Sequence, residues 1–560
     1  MDGKLTYSQF ALPTSVSDPD PTSRKPDPPY LHGPNSALVL VGIFLSILLA
    51  GLDALVVATA LPTIGASLGN GDDITFVSGA YLIASTVAIP LFSRLSDLYS
   101  RRNIFVIALA VFIGGSALAG LSQTLGELIL FRGVQGFGSG AFFPVGIAMV
   151  AILYPPKVRA QLIGILSAAG GLSIVAGPLL GNYIVSVTTW RWVFYVNLPI
   201  GLAAAIVLGI ALGPVRPTGT GKLDLAGAGL LVGWVSALML PLVEVSANLW
   251  SWTEPVTLVL LALAGALFVT FVLWELRQKD PVVPLRLLGR RVVAASGGIS
   301  LVVGIALTAM ITLLSVLVGI DLGAGDAFVR DVIYFFALPM IVGAFAGGYL
   351  VGRYPYRAVL APALFVAAAG AFLLTGITAS TPLWVLWDGF LPVGGLVLPL
   401  LPFGFGSGVG LAGVNILIQN ETPRTEVAAG IGIVRFLQSL GGAVGLSLLT
   451  VYLAWQTKVL LPSAPSASGD LTAAVGAFDR VFLVLAVLTL AAAVLALFLR
   501  GRAAQTETPT PRDGADRATA GLSCRGAPGG ALELLAQPEA ATGPMVRDGE
   551  PVRLVPDRPQ

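Results

Sequence analysis

The chain contains fourteen separate apolar runs, each close to the ~20 residues an α-helix needs to cross about 30 Å of hydrocarbon. They fall at 37–61, 75–96, 103–121, 127–150, 160–185, 192–213, 224–246, 255–276, 292–318, 329–352, 357–377, 391–418, 427–453 and 478–499. In lipid every backbone N–H and C=O must find a partner inside the chain, so runs of this kind become helices. Composition leaves no other solvent for them. Only 11% of the 560 residues are charged, against roughly 25% in a soluble domain, and 55% are hydrophobic. The net charge of +2 makes no case for nucleic acid. A single cysteine, Cys524, cannot close an internal disulfide, and the one histidine, His32, sits in a Pro-rich tail. No metal site is therefore expected. The Gly-rich stretches lie within spans and lack the Lys-Ser/Thr ending of a phosphate loop, so no ATPase domain is expected in this chain.

Charge placement orients the runs. Arg94, Arg101, Arg102, Lys157, Arg159, Lys222, Arg353 and Arg357 lie in one set of connections. The opposite set holds few, among them Arg191, Arg330, Lys458 and Arg480. By the positive-inside bias the first set faces the cytoplasm, and an even helix number puts both termini there. Residues 1–36 and 501–560 are polar or without period and read as disordered tails. Two segments recur in order. Ser93–Arg102 after the second run matches 348–357 after the tenth, and Gly136-Phe137-Gly138-Ser139-Gly140 returns as Gly404-Phe405-Gly406-Ser407-Gly408. Two matches in one order predict homologous six-helix bundles at 37–213 and 292–500, with an inserted helix pair and linker at 214–291. Repeated bundles around a midplane cavity are transporter architecture.

Several motifs resemble the major facilitator superfamily, and within it the fourteen-helix drug:proton antiporter branch. Ser93-Arg94-Leu95-Ser96-Asp97-Leu98-Tyr99-Ser100-Arg101-Arg102 resembles the family's loop between helices 2 and 3, with serines at both glycine positions. Asp97, Arg101 and Arg102 remain, and a carboxylate beside arginines at a helix end makes a charge-assisted latch across a cytoplasmic seam. Leu128–Gly140, built around Arg132-Gly133-Val134-Gln135-Gly136, resembles the helix-4 motif. Leu52-Asp53 followed by Ala60-Leu61-Pro62 resembles the helix-1 signature, with Leu55 where a Thr is usual. Gly177-Pro178-Leu179-Leu180-Gly181 resembles the antiporter motif of helix 5, with Asn182 in place of its last Gly. Trp190–Gly201 and Gly432–Gly445 also fit the branch.

Depth brings two of these residues together. Asp53 lies nine residues before Pro62, about 13 Å along the helix, and Arg132 lies about 8 Å inside the opposite end of its own. An ionisable group at such depth needs a partner or water. The two depths are compatible with contact or a water bridge; a fixed ion pair that only orders the bundle is the plainer reading, and proton coupling through Asp53 with Arg132 the sharper one.

The resemblance thus implies an all-α polytopic membrane protein of fourteen transmembrane helices. Its function would be to export amphipathic compounds in exchange for protons by alternating access. It would be a transporter rather than an enzyme, without a cofactor, driven by the proton gradient, monomeric, and resident in a bacterial plasma membrane. A transporter of one defined metabolite and a non-transporting sensor or scaffold are the alternatives. Candidates for the substrate cavity are Tyr81, Gln135, Phe142, Asn415, Arg435 and Gln438. A cationic substrate would lean on Asp53, because no other mid-span acid is evident.

Overall fold

The computed structural model describes residues 34–69, 72–212, 221–246, 249–317, 326–376, 385–386, 391–392, 397–423, 426–460, 471–499 and 501. Most of both tails, and the readings placed on them, lie outside the described residues. Among the described residues fourteen helices are long and apolar enough to span a membrane. They are α1 Asn35–Leu68, α2 Thr75–Leu98, α3 Arg101–Leu121, α4 Leu125–Leu153, α5 Val158–Val187, α6 Trp192–Ala211 and α7 Leu225–Val245. Then follow α8 Pro255–Arg277, α9 Arg291–Val316, α10 Val332–Val351, α11 Tyr356–Gly376, α12 Val397–Glu421, α13 Val427–Thr457 and α14 Gly476–Leu497.

Several spans differ in detail from the apolar runs, and α1, expected to end near Pro62, continues through it to Leu68. The run expected at 391–418 begins as helix only at Val397, and Leu391–Pro392 instead pairs antiparallel with Val385–Leu386. Helix α4 starts at Leu125 because Thr124 and Glu127 form a capping box, each side chain accepting from the other's end of the first turn. Helices α4 and α6 are each broken, at Gly140–Ala141 and at Val196.

The repeat seen in the chain is also a repeat of neighbours. In the first half α4 packs on α2 and α3, while α1 packs on α5 and α6 and α3 on α6. In the second half α12 packs on α10 and α11, while α9 packs on α13 and α14 and α11 on α14. The two recurring Gly segments make this possible. Lipid gives helices no hydrophobic reason to associate, so small residues that let backbones meet decide the packing. A Cβ on Gly136 would stand 2.8 Å from Tyr81 Cα of α2, and one on Gly406 would stand 2.8 Å from Ala367 N of α11.

The halves meet along two related seams, α5 against α10 and α2 against α13. On the face that carries the α2–α3 turn, called here the basic face, both are tight. A Cβ on Gly164 would stand 2.9 Å from Ala344 O and 3.0 Å from Gly348 Cα, and one on Gly432 would stand 2.7 Å from Ser93 Cβ.

The inserted pair is asymmetric. Helix α8 packs on α7 and turns Leu258, Val259, Leu263, Val269 and Leu273 outward as an apolar, lipid-ready face. Helix α7 lies against both α2 and α13. Trp234 of α7 meets Phe436 of α13 edge to face with centroids 5.9 Å apart, and Ser447 Oγ donates to Leu242 O at 2.9 Å. Toward α2, Thr75 Oγ1 donates to Glu244 Oε1 at 2.9 Å, and Arg94 pairs with Asp280 of the linker at 3.1 Å. With Cys524 replaced by Ser, cysteines at Asp72 and Trp250 are expected to react with an impermeant maleimide from one side and a cysteine at Leu285 from the other. Reaction of positions 250 and 285 from the same side would remove α8 from the spans.

Candidate functional site

Asp53 of α1 and Arg132 of α4 meet in the interior of the first bundle. Arg132 Nη1 donates to Asp53 Oδ2 at 2.5 Å, and both side chains are at most 1% exposed. The other carboxylate oxygen, Oδ1, accepts from Gln135 Nε2 at 2.8 Å and from Asn197 Nδ2 at 2.7 Å. Arg132 also donates to Gln135 Oε1 at 2.8 Å and to the Val77 carbonyl at 3.4 Å. Behind Asn197, Ser116 accepts from its amide at 3.1 Å and donates to Phe194 O at 2.9 Å. Four helices thus contribute a side chain to one buried network. A buried ion pair whose remaining atoms are hydrogen-bonded can persist at membrane depth, while either charge alone is costly.

Tyr81 of α2 connects this network to open space. Its ring lies under the Arg132 guanidinium, 4.2 Å from the ring centroid, and its hydroxyl donates to Ala50 O at 3.1 Å. The same residue lines a cavity of about 440 Å³ between the two halves. The cavity begins beside the break in α4, where Ser139, Gly140, Phe142 and Phe143 line it, and extends to Val243 near the end of α7. Arg435 and Gln438 of α13 line its other side, with Arg435 Nη1 donating to Gln438 Oε1 at 2.5 Å.

Of the six cavity candidates, Tyr81, Phe142, Arg435 and Gln438 line this space, and Gln135 and Asn415 do not. Gln135 is turned to Asp53, three residues along α4 from Arg132 and on the same helix face. Asn415 donates to Leu411 O of its own helix at 2.7 Å, the local bond that polar side chains make when no cross-helix partner is within reach. Asp53 is also absent from the lining, which corrects the idea that a cationic substrate would lean on it. Asn197 was quoted within its motif but given no role. The break at Val196 starts the second part of α6 at that residue and sets its amide under α1.

The basic-face residues divide their work. Asp97 accepts from Arg101 Nη2 at 2.7 Å across the turn from α2 to α3, with both side chains buried. The resolved ion pair therefore ties two neighbouring helices of one bundle. Across the seam, α2 meets α13 where Ser93 lies against Gly432 and where the Thr86 and Ser439 hydroxyls share a hydrogen bond at 2.6 Å. Arg102 donates to Gly209 O at 2.5 Å, placing a cation at the C-terminal turn of α6, where the helix dipole favours it. Serines suffice in the turn because Tyr99 and Ser100 adopt extended conformations, φ −120° and −60°, open to any residue. In α5, a Cβ on Gly177 would stand 2.6 Å from Leu55 Cβ and one on Gly181 3.0 Å from Val56 O, so this motif seats α5 on α1. Asp97→Asn is expected to leave membrane levels intact and slow turnover severalfold, read as initial rate over a range of substrate concentrations. A normal rate throughout would leave Asp97 as an anchor of the turn alone.

A helical bundle repeated around a cavity, with a charged network beside it, defines a membrane transporter. The chain belongs to the Major Facilitator Superfamily, whose family model matches residues 43–446. It is 30% identical over 415 residues to Multidrug transporter protein MdtP of Bacillus subtilis, covering 74% of each chain. It is 28% identical over 426 residues to Multidrug resistance protein 3 of the same organism, covering 76% of this chain and 80% of that one. Among solved structures it resembles the human organic anion transporter MFSD10 (TETRAN), with a TM-score of 0.58 and 17% identity over 83% of this chain and 100% of that one. At that identity the likeness speaks for the fold alone.

Proposed function

We propose that this transporter exports amphipathic compounds across a plasma membrane in exchange for protons, with its basic face in the cytoplasm. The observation that carries the reading is that Asp53 is buried against Arg132 and outside the cavity lining, while Tyr81, whose ring carries Arg132, lines the cavity. A carboxylate fully enclosed by Arg132, Gln135 and Asn197 has no room for a drug, so its chemistry is with a proton. Protonation removes the charge that Arg132 answers, while Gln135 and the Val77 carbonyl still hold the guanidinium. Tyr81 feels both events, because it carries Arg132 on its ring and faces the cavity. In this conformation the cytoplasmic seams are closed, so proton loading of Asp53 belongs to the outward-facing stage. The reverse exposure releases the proton as substrate enters. Relatives named for multidrug transport support the substrate class. Everted vesicles carrying the protein test the reading. Amphipathic compounds should accumulate only when an electrochemical proton gradient is imposed, and each addition of substrate should release protons from energised vesicles. Accumulation indifferent to the gradient would overturn the exchange.

A further inference from the structure

We infer that the cavity is built for an organic anion, an amphipath bearing a carboxylate, and that Arg435 is the group that binds it. The inference rests on the export reading and names its substrate class. Arg435 is the one ionisable side chain besides Tyr81 among the residues lining the cavity, and no Asp or Glu lines it. Among the described residues it makes no ion pair; its contacts are the bond to Gln438 and the face of Phe143, whose ring centroid lies 3.2 Å from the guanidinium carbon.

The contrast with Arg132 is informative. Both arginines sit inside their spans, each bonded to a glutamine three residues along its helix and each over an aromatic ring. Arg132 also has its carboxylate, Asp53, within the protein. Arg435 has the corresponding arrangement with the carboxylate position open to the cavity. A cation at this depth is costly without a counter-charge, and an aromatic face offsets only part of that cost. A ligand carboxylate completes the set, and the planar guanidinium suits its two oxygens. Apolar Ile47, Leu82, Leu307 and Leu446 of the lining receive the rest of the molecule. A lipophilic cation would meet the opposite field: a fixed positive charge and no acid.

Charge movement follows. Export of a monoanion against entry of one proton moves two charges in the same electrical sense, so the membrane potential alone should drive it. Export of a monocation against one proton moves none.

The test uses the full chain and three probes that share one body: dansyl-aminohexanoate, its primary amide, and dansylcadaverine. Binding to purified protein is read by dansyl fluorescence, and transport in proteoliposomes with either a potential or a pH gradient. The acid should bind about tenfold more tightly than the amide, as expected for one charge-assisted contact, with the amine weakest, and a potential alone should drive its transport. Arg435→Gln should reduce the acid-to-amide ratio about tenfold, and Arg435→Lys should restore part of it, which separates loss of the site from loss of the fold. Preference for the amine, or an acid-to-amide ratio unmoved by Arg435→Gln, would overturn the anion site while leaving export in place. Acid binding through Arg435 with no uphill movement of any probe would overturn export and leave the site standing.

Discussion

Asp53→Asn is expected to reach the membrane and lose uphill export, with accumulation falling to that of vesicles without the protein. The substitution keeps the shape of the side chain and removes its titration. It does not orphan Arg132, which retains Gln135 Oε1 and the Val77 carbonyl. Asn at this position can offer an acceptor to Arg132 or to the amides of Gln135 and Asn197, so part of the network survives. Asp53→Ala is the harsher variant. Removing one partner of a buried pair costs about 3–5 kcal/mol, and lower protein yield is expected. Energised vesicles carrying the Asn variant should release no protons when substrate is added, while downhill exchange of substrate persists. Asp53→Glu should retain partial activity with a displaced pH profile. Normal uphill export by the Asn variant would leave Asp53 as a structural partner of Arg132.

Gly164→Leu should trap the protein with its basic face open. In the conformation described, position 164 has no room for a side chain beyond hydrogen, because Ala344 O and Gly348 Cα of α10 already stand at contact distance. Overpacking of this kind costs about 1–3 kcal/mol. The cost falls only on the state in which α5 and α10 are closed on that side, so it acts as a differential energy between states. Each 1.4 kcal/mol shifts their ratio about tenfold. A cysteine at Ser167, which lines the cavity, should then react about tenfold faster with a maleimide applied from the side of the basic face, and transport should fall in parallel. Unchanged labelling and turnover would mean that the seam opens elsewhere along α5.

Hydropathy carried the fold because lipid imposes the same demand on every span, independent of tertiary context. The helix ends were harder. The Thr124–Glu127 capping box was written in the chain and places the start of α4, whereas the 391–396 region carries an apolar pattern that serves helix and extended chain alike. Within the site, Asp53 and Arg132 could be paired because depth is a one-dimensional quantity counted along each helix. Rotation is not. Gln135 was assigned to the cavity, although its i+3 spacing from Arg132 already put it on the same face. Asn415, also a cavity candidate, is turned back to Leu411 O for a related reason, since nothing local tells whether a polar side chain points across the bundle or back to its own backbone. Asn197 depended on the break at Val196, which arises where α6 meets the end of α3 and has no signature in periodicity.

Helix α7 belongs to neither repeat, yet Val243 forms part of the cavity wall and Leu242 is bonded to α13. It therefore covers one lateral seam of the molecule, between α2 and α13, while among the described residues the inserted pair does not cover the pseudo-symmetric seam between α5 and α10. An oily compound already dissolved in the bilayer faces an uneven pair of doors. Val243, the α7 residue in the cavity wall, can change size or polarity without disturbing the matched contacts between the two halves. The added helix pair gives the transporter a replaceable partition, one place where substrate range can drift while the machinery around it stays fixed.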